Sequence, residues 1–235
     1  MGTSTEILLL CVVGGFLALD TTAAWQVMLS QPLVSGTIAG FMIGLPQIGV
    51  FIGLVLQLLW SGAIPVGARP MPDAVAGSIS GVWFASTLLK SSGHSSLSFC
   101  CLLGLIAGMS IGLLGTQTII LERSVCRRLF RDVMRRISLG EAVRLEKTIL
   151  VAIAIGFARG FFLCLAAIGI LRVFVSLVQG HESLFNRDYS IVILALEALG
   201  VGVLISVFVG RSRGRLLGLV GCMLWALVLT NLFRR

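Results

Sequence analysis

Charge is scarce in this chain: Asp, Glu, Lys and Arg make up 12% of 235 residues, against 57% hydrophobic residues. With a mean hydropathy of +1.04 and only five prolines, the composition lies well outside the globular range and excludes one or two soluble domains. Paired cysteines are lacking too. Cys11, Cys100, Cys101, Cys126, Cys164 and Cys222 are scattered without a C-x-x-C spacing, and most lie in apolar runs where a thiol behaves as a small hydrophobe. There is no Walker loop, no Ser-His-Asp arrangement, no Cys/His metal cluster and no plausible phosphohistidine site. His94 and His181 stand alone in polar connectors. No catalytic residue, metal or cofactor is therefore assigned.

What is present is a series of long apolar blocks. Residues 33–56, 97–121, 148–178, 190–210 and 216–233 each approach or exceed the roughly 20 residues that cross about 30 Å of hydrocarbon. Blocks 7–19 and 74–89 are shorter and read as tilted spans, half-spans or re-entrant segments. The expected fold is an all-α polytopic membrane protein with broken or re-entrant segments. Met1 to Glu6 carries neither a basic leader nor a cleavage site, so the first block is read as retained.

The net charge of +8 is concentrated between spans. Arg123, Arg127, Arg128, Arg131, Arg135, Arg136, Arg144 and Lys147 fill one connector and Arg211, Arg213 and Arg215 another, as the positive-inside rule requires of cytoplasmic loops. Topology accounts for the charge without a nucleic-acid partner. Val125, Leu129, Val133 and Ile137 recur every four residues, so 122–138 reads as a basic amphipathic helix on the cytoplasmic leaflet, attracted by anionic lipid; docking of a soluble partner is the alternative. The connector 122–147 divides the chain into halves 1–121 and 148–235, an arrangement compatible with transporter-like repeats. Block 148–178 is long for one span and carries Arg159, which suggests a kink or half-helix.

Glycines recur every four residues at Gly36, Gly40 and Gly44 and at Gly104, Gly108 and Gly112, with Gly77 and Gly81 a shorter instance. Such stripes let helix backbones touch and make homo- or hetero-oligomers an expectation. Polar residues at membrane depth carry more information, because a buried charge there costs at least about 2.5 kcal/mol. The segment 57–73 places Gln57, Arg69, Asp73 and three prolines between two apolar segments. Proline breaks a helix, and irregular backbone at that depth survives only inside protein or beside a watery cavity. Gln57 is read as a substrate or gating residue in preference to a helix-to-helix bond. Asp73 is read as a cap for the following helix and a site residue at once. Asp20 is either a solvated span end or part of the site, and Arg159 is a candidate partner for Asp73 or Glu197.

The run Leu19-Asp20, Gln31-Pro32-Leu33-Val34-Ser35-Gly36, Gly40, Gly44, Gly49, Gly53, Leu56-Gln57-Leu58, Gly62, Pro65-Val66-Gly67-Ala68 and Pro72-Asp73 resembles the IIC membrane subunit of the mannose/fructose/sorbose-type sugar phosphotransferase system. The match covers about residues 15–85. In that family an acidic or amide residue, often glutamate, occupies the position of Gln57, and a Pro-Asp pair corresponds to Pro72-Asp73. The resemblance implies a multi-pass permease subunit of the bacterial inner membrane. It would work with a second membrane subunit, IID, and with cytoplasmic IIA and IIB proteins that carry the phosphate chemistry. The sequence itself supplies a polar, proline-broken niche in which Gln57, Asp73 and Asp20 are the candidate sugar contacts; Trp60 either stacks on a pyranose face or serves as an interfacial anchor. Two other classes remain: an ion-coupled secondary transporter using the same broken-helix device, and a non-transporting regulatory or assembly subunit that keeps the fold.

Overall fold

The computed structural model describes residues 4–24, 26–62, 71–91, 97–141, 144–179, 189–209 and 221. His94, His181, residues 63–70 of the 57–73 segment with Arg69, Cys222, the 211–215 cluster and the apolar block 216–233 apart from Gly221 lie outside the described residues. All regular structure among those described is α-helical: α1 Ser4–Thr22, α2 Pro32–Ile43, α3 Pro46–Trp60, α4 Ala74–Ser91, α5 Leu97–Ser138, α6 Leu145–Gln179 and α7 Ser190–Val209. Three of them, α1, α5 and α6, are long and apolar enough to cross a membrane. The chain is an all-α polytopic membrane protein.

The apolar block 33–56 is not one span. The chain reverses at Gly44-Leu45-Pro46 and returns as a hairpin of two helices of 12 and 15 residues, about 18 and 22 Å long at 1.5 Å per residue and so too short to span alone. Gly44, expected in a packing stripe, has φ +82° and ends α2. The Gly44 amide donates to Phe41 O at 3.1 Å and the Leu45 amide to Gly40 O at 2.8 Å, the two bonds of a Schellman cap. Pro46 then opens α3 at a position where no amide donor is needed. Lys90, in the last turn of α4, donates to Ile43 O at 2.7 Å and ties the hairpin tip to the far end of α4.

Glycine determines which helices pair. A Cβ added at Gly40 would lie 2.8 Å from Gly49 Cα, and one at Gly53 would lie 2.6 Å from Pro32 O. The backbones of α2 and α3 therefore touch, and any side chain there must push them apart. Gly77 and Gly81 of α4 meet Gly108 O and Gly104 O of α5 in the same way, each at 2.6 Å. These stripes are used inside the subunit. The most extensive packing is α4 on α5, α2 on α3 and α1 on α6. Helix α4 is central: every residue from Val75 to Leu88 is buried, although its small and hydroxyl side chains make it a weak apolar signal.

Two longer elements also differ from the sequence expectation. Helix α5 runs unbroken for 42 residues, about 63 Å, so 122–138 is a continuation of the span and not a separate surface helix. Its Val133 is buried, while Val125, Phe130, Met134, Ile137 and the six arginines from Arg123 to Arg136 are exposed. Helix α6 is likewise continuous over 35 residues through Arg159, without the half-helix its length suggested.

Candidate functional site

Four helix ends converge on one polar level. Helices α1 and α3 finish there and α2 and α4 begin there, which leaves unpaired backbone donors and acceptors that side chains can satisfy. Asp73 precedes α4 as its cap: Oδ1 accepts the Ala76 amide at 2.9 Å, and the Asp73 amide donates to Gly112 O of α5 at 2.8 Å. Gly115 makes room for it, since a Cβ there would stand 2.6 Å from Asp73 Cβ. Asp73 Oδ2 accepts from Arg159 Nη1 of α6.

Arg159 serves a second carboxylate. Its Nε lies 2.5 Å from Glu122 Oε2 of α5 as an ion pair without hydrogen-bond alignment between the two atoms, and Glu122 Oε1 accepts the Thr22 hydroxyl of α1 at 2.7 Å. The side chains of Arg159, Asp73 and Glu122 are 7%, 4% and 3% exposed, so four helices meet in a dry cluster of two carboxylates and one guanidinium. Burying these charges is costly and is offset only by their mutual pairing. Arg159 Nη2 is buried and has no hydrogen-bond partner among the described residues.

Asp20 has a different task. Its Oδ1 accepts the Val27 amide at 2.6 Å, and its Oδ2 accepts the Ser30 amide and hydroxyl, each at 2.9 Å. These bonds hold a turn in which Gln26 and Met28 adopt positive φ, 51° and 68°, a conformation that costs non-glycine residues about 1–2 kcal/mol each. Gln31, just past this turn, accepts from Gln57 Nε2 at 3.0 Å. Gln57 Oε1 is buried without a partner among the described residues. Trp60, one turn further along α3, rests its ring on the glycine notch: Cβ atoms at Gly112 and Gly77 would lie 2.5 and 2.9 Å from Trp60 Cη2.

The four residues singled out from sequence thus lie on one ring of contacts. Asp20 leads through Ser30 to Gln31 and Gln57; Trp60 and Asp73 share Gly112; and Asp73 leads through Arg159 and Glu122 to Thr22, two residues from Asp20 on α1. Of the two partners considered for Arg159, Asp73 is the one in contact, and the other carboxylate on it is Glu122. Sequence reasoning missed Glu122, Thr22 and Gln31. Glu122 was grouped with the basic helix, although a carboxylate directly after the apolar run 97–121 and ahead of the arginines is a signal of its own. Among the described residues no group of three or more His, Cys, Asp or Glu could hold a metal ion.

The chain has relatives. Residues 4–233 match the family described as "PTS system sorbose-specific iic component". A 57-residue stretch, 24% of this chain and 43% of its relative, is 33% identical to the "Putative N-acetylgalactosamine permease IIC component 2" of Escherichia coli (strain K12); the match thus spans less than half of that protein. A solved structure titled "Structure of membrane protein" shares the fold with TM-score 0.64 at 18% identity, over 89% of this chain and 82% of that one. The family match extends over nearly the whole sequence, and the chain belongs to the sorbose-specific IIC family of phosphotransferase-system membrane components.

Proposed function

We propose that this chain binds a hexose or hexose derivative of the mannose, fructose and sorbose class at the polar ring and carries it across the bacterial inner membrane. Phosphoryl transfer is left to cytoplasmic IIA and IIB partners, and a IID membrane subunit completes the pathway. One observation carries the reading: the ring contains a buried acceptor, Gln57 Oε1, and a buried donor, Arg159 Nη2, both uncommitted among the described residues. Buried polar atoms in native proteins are nearly always paired, and sugar hydroxyls, which donate and accept together, are suited to both. Asp73 and Trp60 meet at Gly112, and Asp20 holds the turn that presents Gln31 to Gln57. The amide of Gln57 supplies hydrogen bonding without the charge of a glutamate.

The test uses the chain with its membrane and cytoplasmic partners in vesicles and labelled mannose, fructose, sorbose and N-acetylgalactosamine as probes. The last probe is suggested by the name of the E. coli relative. Uptake of at least one sugar should require phosphoenolpyruvate and survive collapse of the proton gradient. Gln57→Leu, which keeps the volume and removes the amide, should raise KM about threefold to tenfold, as expected for one or two lost neutral hydrogen bonds. Uptake driven by the gradient in the absence of phosphoenolpyruvate would favour the ion-coupled alternative, and an unchanged KM would remove Gln57 from the site.

A further inference from the structure

The three best-packed helix pairs are sealed by small residues. Gly40 meets Gly49 between α2 and α3, Gly81 meets Gly104 between α4 and α5, and a Cβ on Gly160 of α6 would collide with Ala18 of α1. Backbones in such contact move together, because sliding would forfeit dispersion along the whole line. The boundary between the α1–α6 pair and the α4–α5 pair is built differently. At its glycines it sets long, flexible side chains, Ile79 against Gly14 and Leu163 against Gly115, as α3 does with Ile52 and Leu56 against Gly104 and Gly108 of α5. Its polar contacts are the ion cluster, with Thr22 and Arg159 on one side and Asp73 and Glu122 on the other.

Within the cluster Asp73 is anchored to its own side of the boundary, whereas Glu122 and Arg159 are held across it. Asp73 is fixed by its bonds to the Ala76 amide and to Gly112 O. Glu122 is held by Thr22, and Gly156 leaves space beside it, a Cβ there standing 3.1 Å from Glu122 Oε1. Arg159 reaches both from a long side chain and keeps Nη2 uncommitted among the described residues. A guanidinium between two carboxylates can shift its bonds from one to the other and remain paired throughout, the condition for moving a buried charge at membrane depth without the cost of isolating it.

We propose that Glu122 and Thr22 are positioning residues that act on Arg159 and through it on Asp73, and that the four together form a lock which parts as α1 and α6 move as one unit against α2–α5. The consequence for transport rests on the reading of Asp73 as a sugar contact. The lock itself rests on the geometry of the boundary and is tested without sugar.

Amide hydrogen exchange of the full-length chain in lipid nanodiscs compares the wild type with Glu122→Gln, which keeps an acceptor for Thr22 and removes the charge. Exchange in α6 around Arg159 and in the C-terminal half of α1 should rise together, by about tenfold, through local opening, while α2–α3 and α4–α5 stay unchanged. An equal rise in every helix indicates a merely structural role and overturns the proposal, as does no change anywhere. If Glu122→Gln does not assemble, Thr22→Val removes only the hydroxyl; it should give the same pattern at smaller amplitude, and the same two outcomes overturn it. In the uptake assay the assembling variant should lower the maximal rate and leave KM within about twofold. A raised KM at unchanged rate contradicts a positioning role. A failed lock shows in the exchange pattern, whereas a failed sugar reading shows in Gln57→Leu.

Discussion

The hairpin α2–α3 and the cluster around Arg159 hold helices together by opposite means. In the hairpin, backbone meets backbone at Gly40 and Gly49, with no charge involved. At Arg159, long side chains bring two carboxylates and a guanidinium together at side-chain exposures of 7% or less. Dispersion contacts are individually weak, numerous and short-ranged, and tolerate neither added volume nor displacement. Ion pairs are few and strong, and they depend on each partner being present. The first kind of seam makes a rigid unit and the second makes a joint that can be reset.

The two seams should break in different ways. Arg159→Met leaves two buried carboxylates without their cation and should have the largest effect, about 3–5 kcal/mol, read as loss of folded protein in the membrane fraction. Arg159→Lys should recover little, because a point charge cannot face two carboxylates as a planar fork does. Next comes overpacking of the glycine seam: Gly49→Val should cost about 1–3 kcal/mol, measured by thermal unfolding in detergent, without a selective effect on α1 and α6. Asp20→Ala releases the turn that holds Gln26 and Met28 at positive φ and should cost about 1–3 kcal/mol for the amides left unpaired, with protease cutting in 24–31 as the readout. Gly44→Ala should have the smallest effect, about 1 kcal/mol for a left-handed residue with a Cβ. Open space around Gly44 means that no steric cost adds to it.

Much of this was legible in the sequence, for physical reasons that differ by element. Membrane character followed from composition, and the end of α3 at Trp60 and the start of α4 at Ala74 agree with the break expected within 57–73, of which 63–70 lie outside the described residues. The cap role of Asp73 was readable from its place before a helix of small residues, and the structure pairs it with the Ala76 amide. The turn at Gly44-Leu45-Pro46 was not read, because a Gly-x-Pro inside an unbroken apolar run gives no hydropathy signal and the glycine also fitted a four-residue stripe. Helix α4 looked like a marginal span because hydropathy scores serine and glycine poorly, yet those residues make it the most buried helix. The partner of Arg159 was half-read. Asp73 could be named from the local pattern, whereas Glu122 is brought beside Arg159 only by the antiparallel packing of α5 and α6 and is hidden locally among arginines.

The account is tested most directly by distances across and within the two kinds of seam. Spin labels at exposed positions, in a background whose cysteines are replaced by alanine, would join Phe162→Cys on α6 to Leu114→Cys on α5 across the ionic boundary, and Phe41→Cys on α2 to the same α5 site within the α2–α5 block. All three positions are exposed, at 63%, 68% and 68%. Pulsed spectroscopy in nanodiscs should show a second distance across the boundary in Glu122→Gln and a single unchanged distance within the block. Two distributions that stay single and unmoved, or that broaden together, would contradict the account.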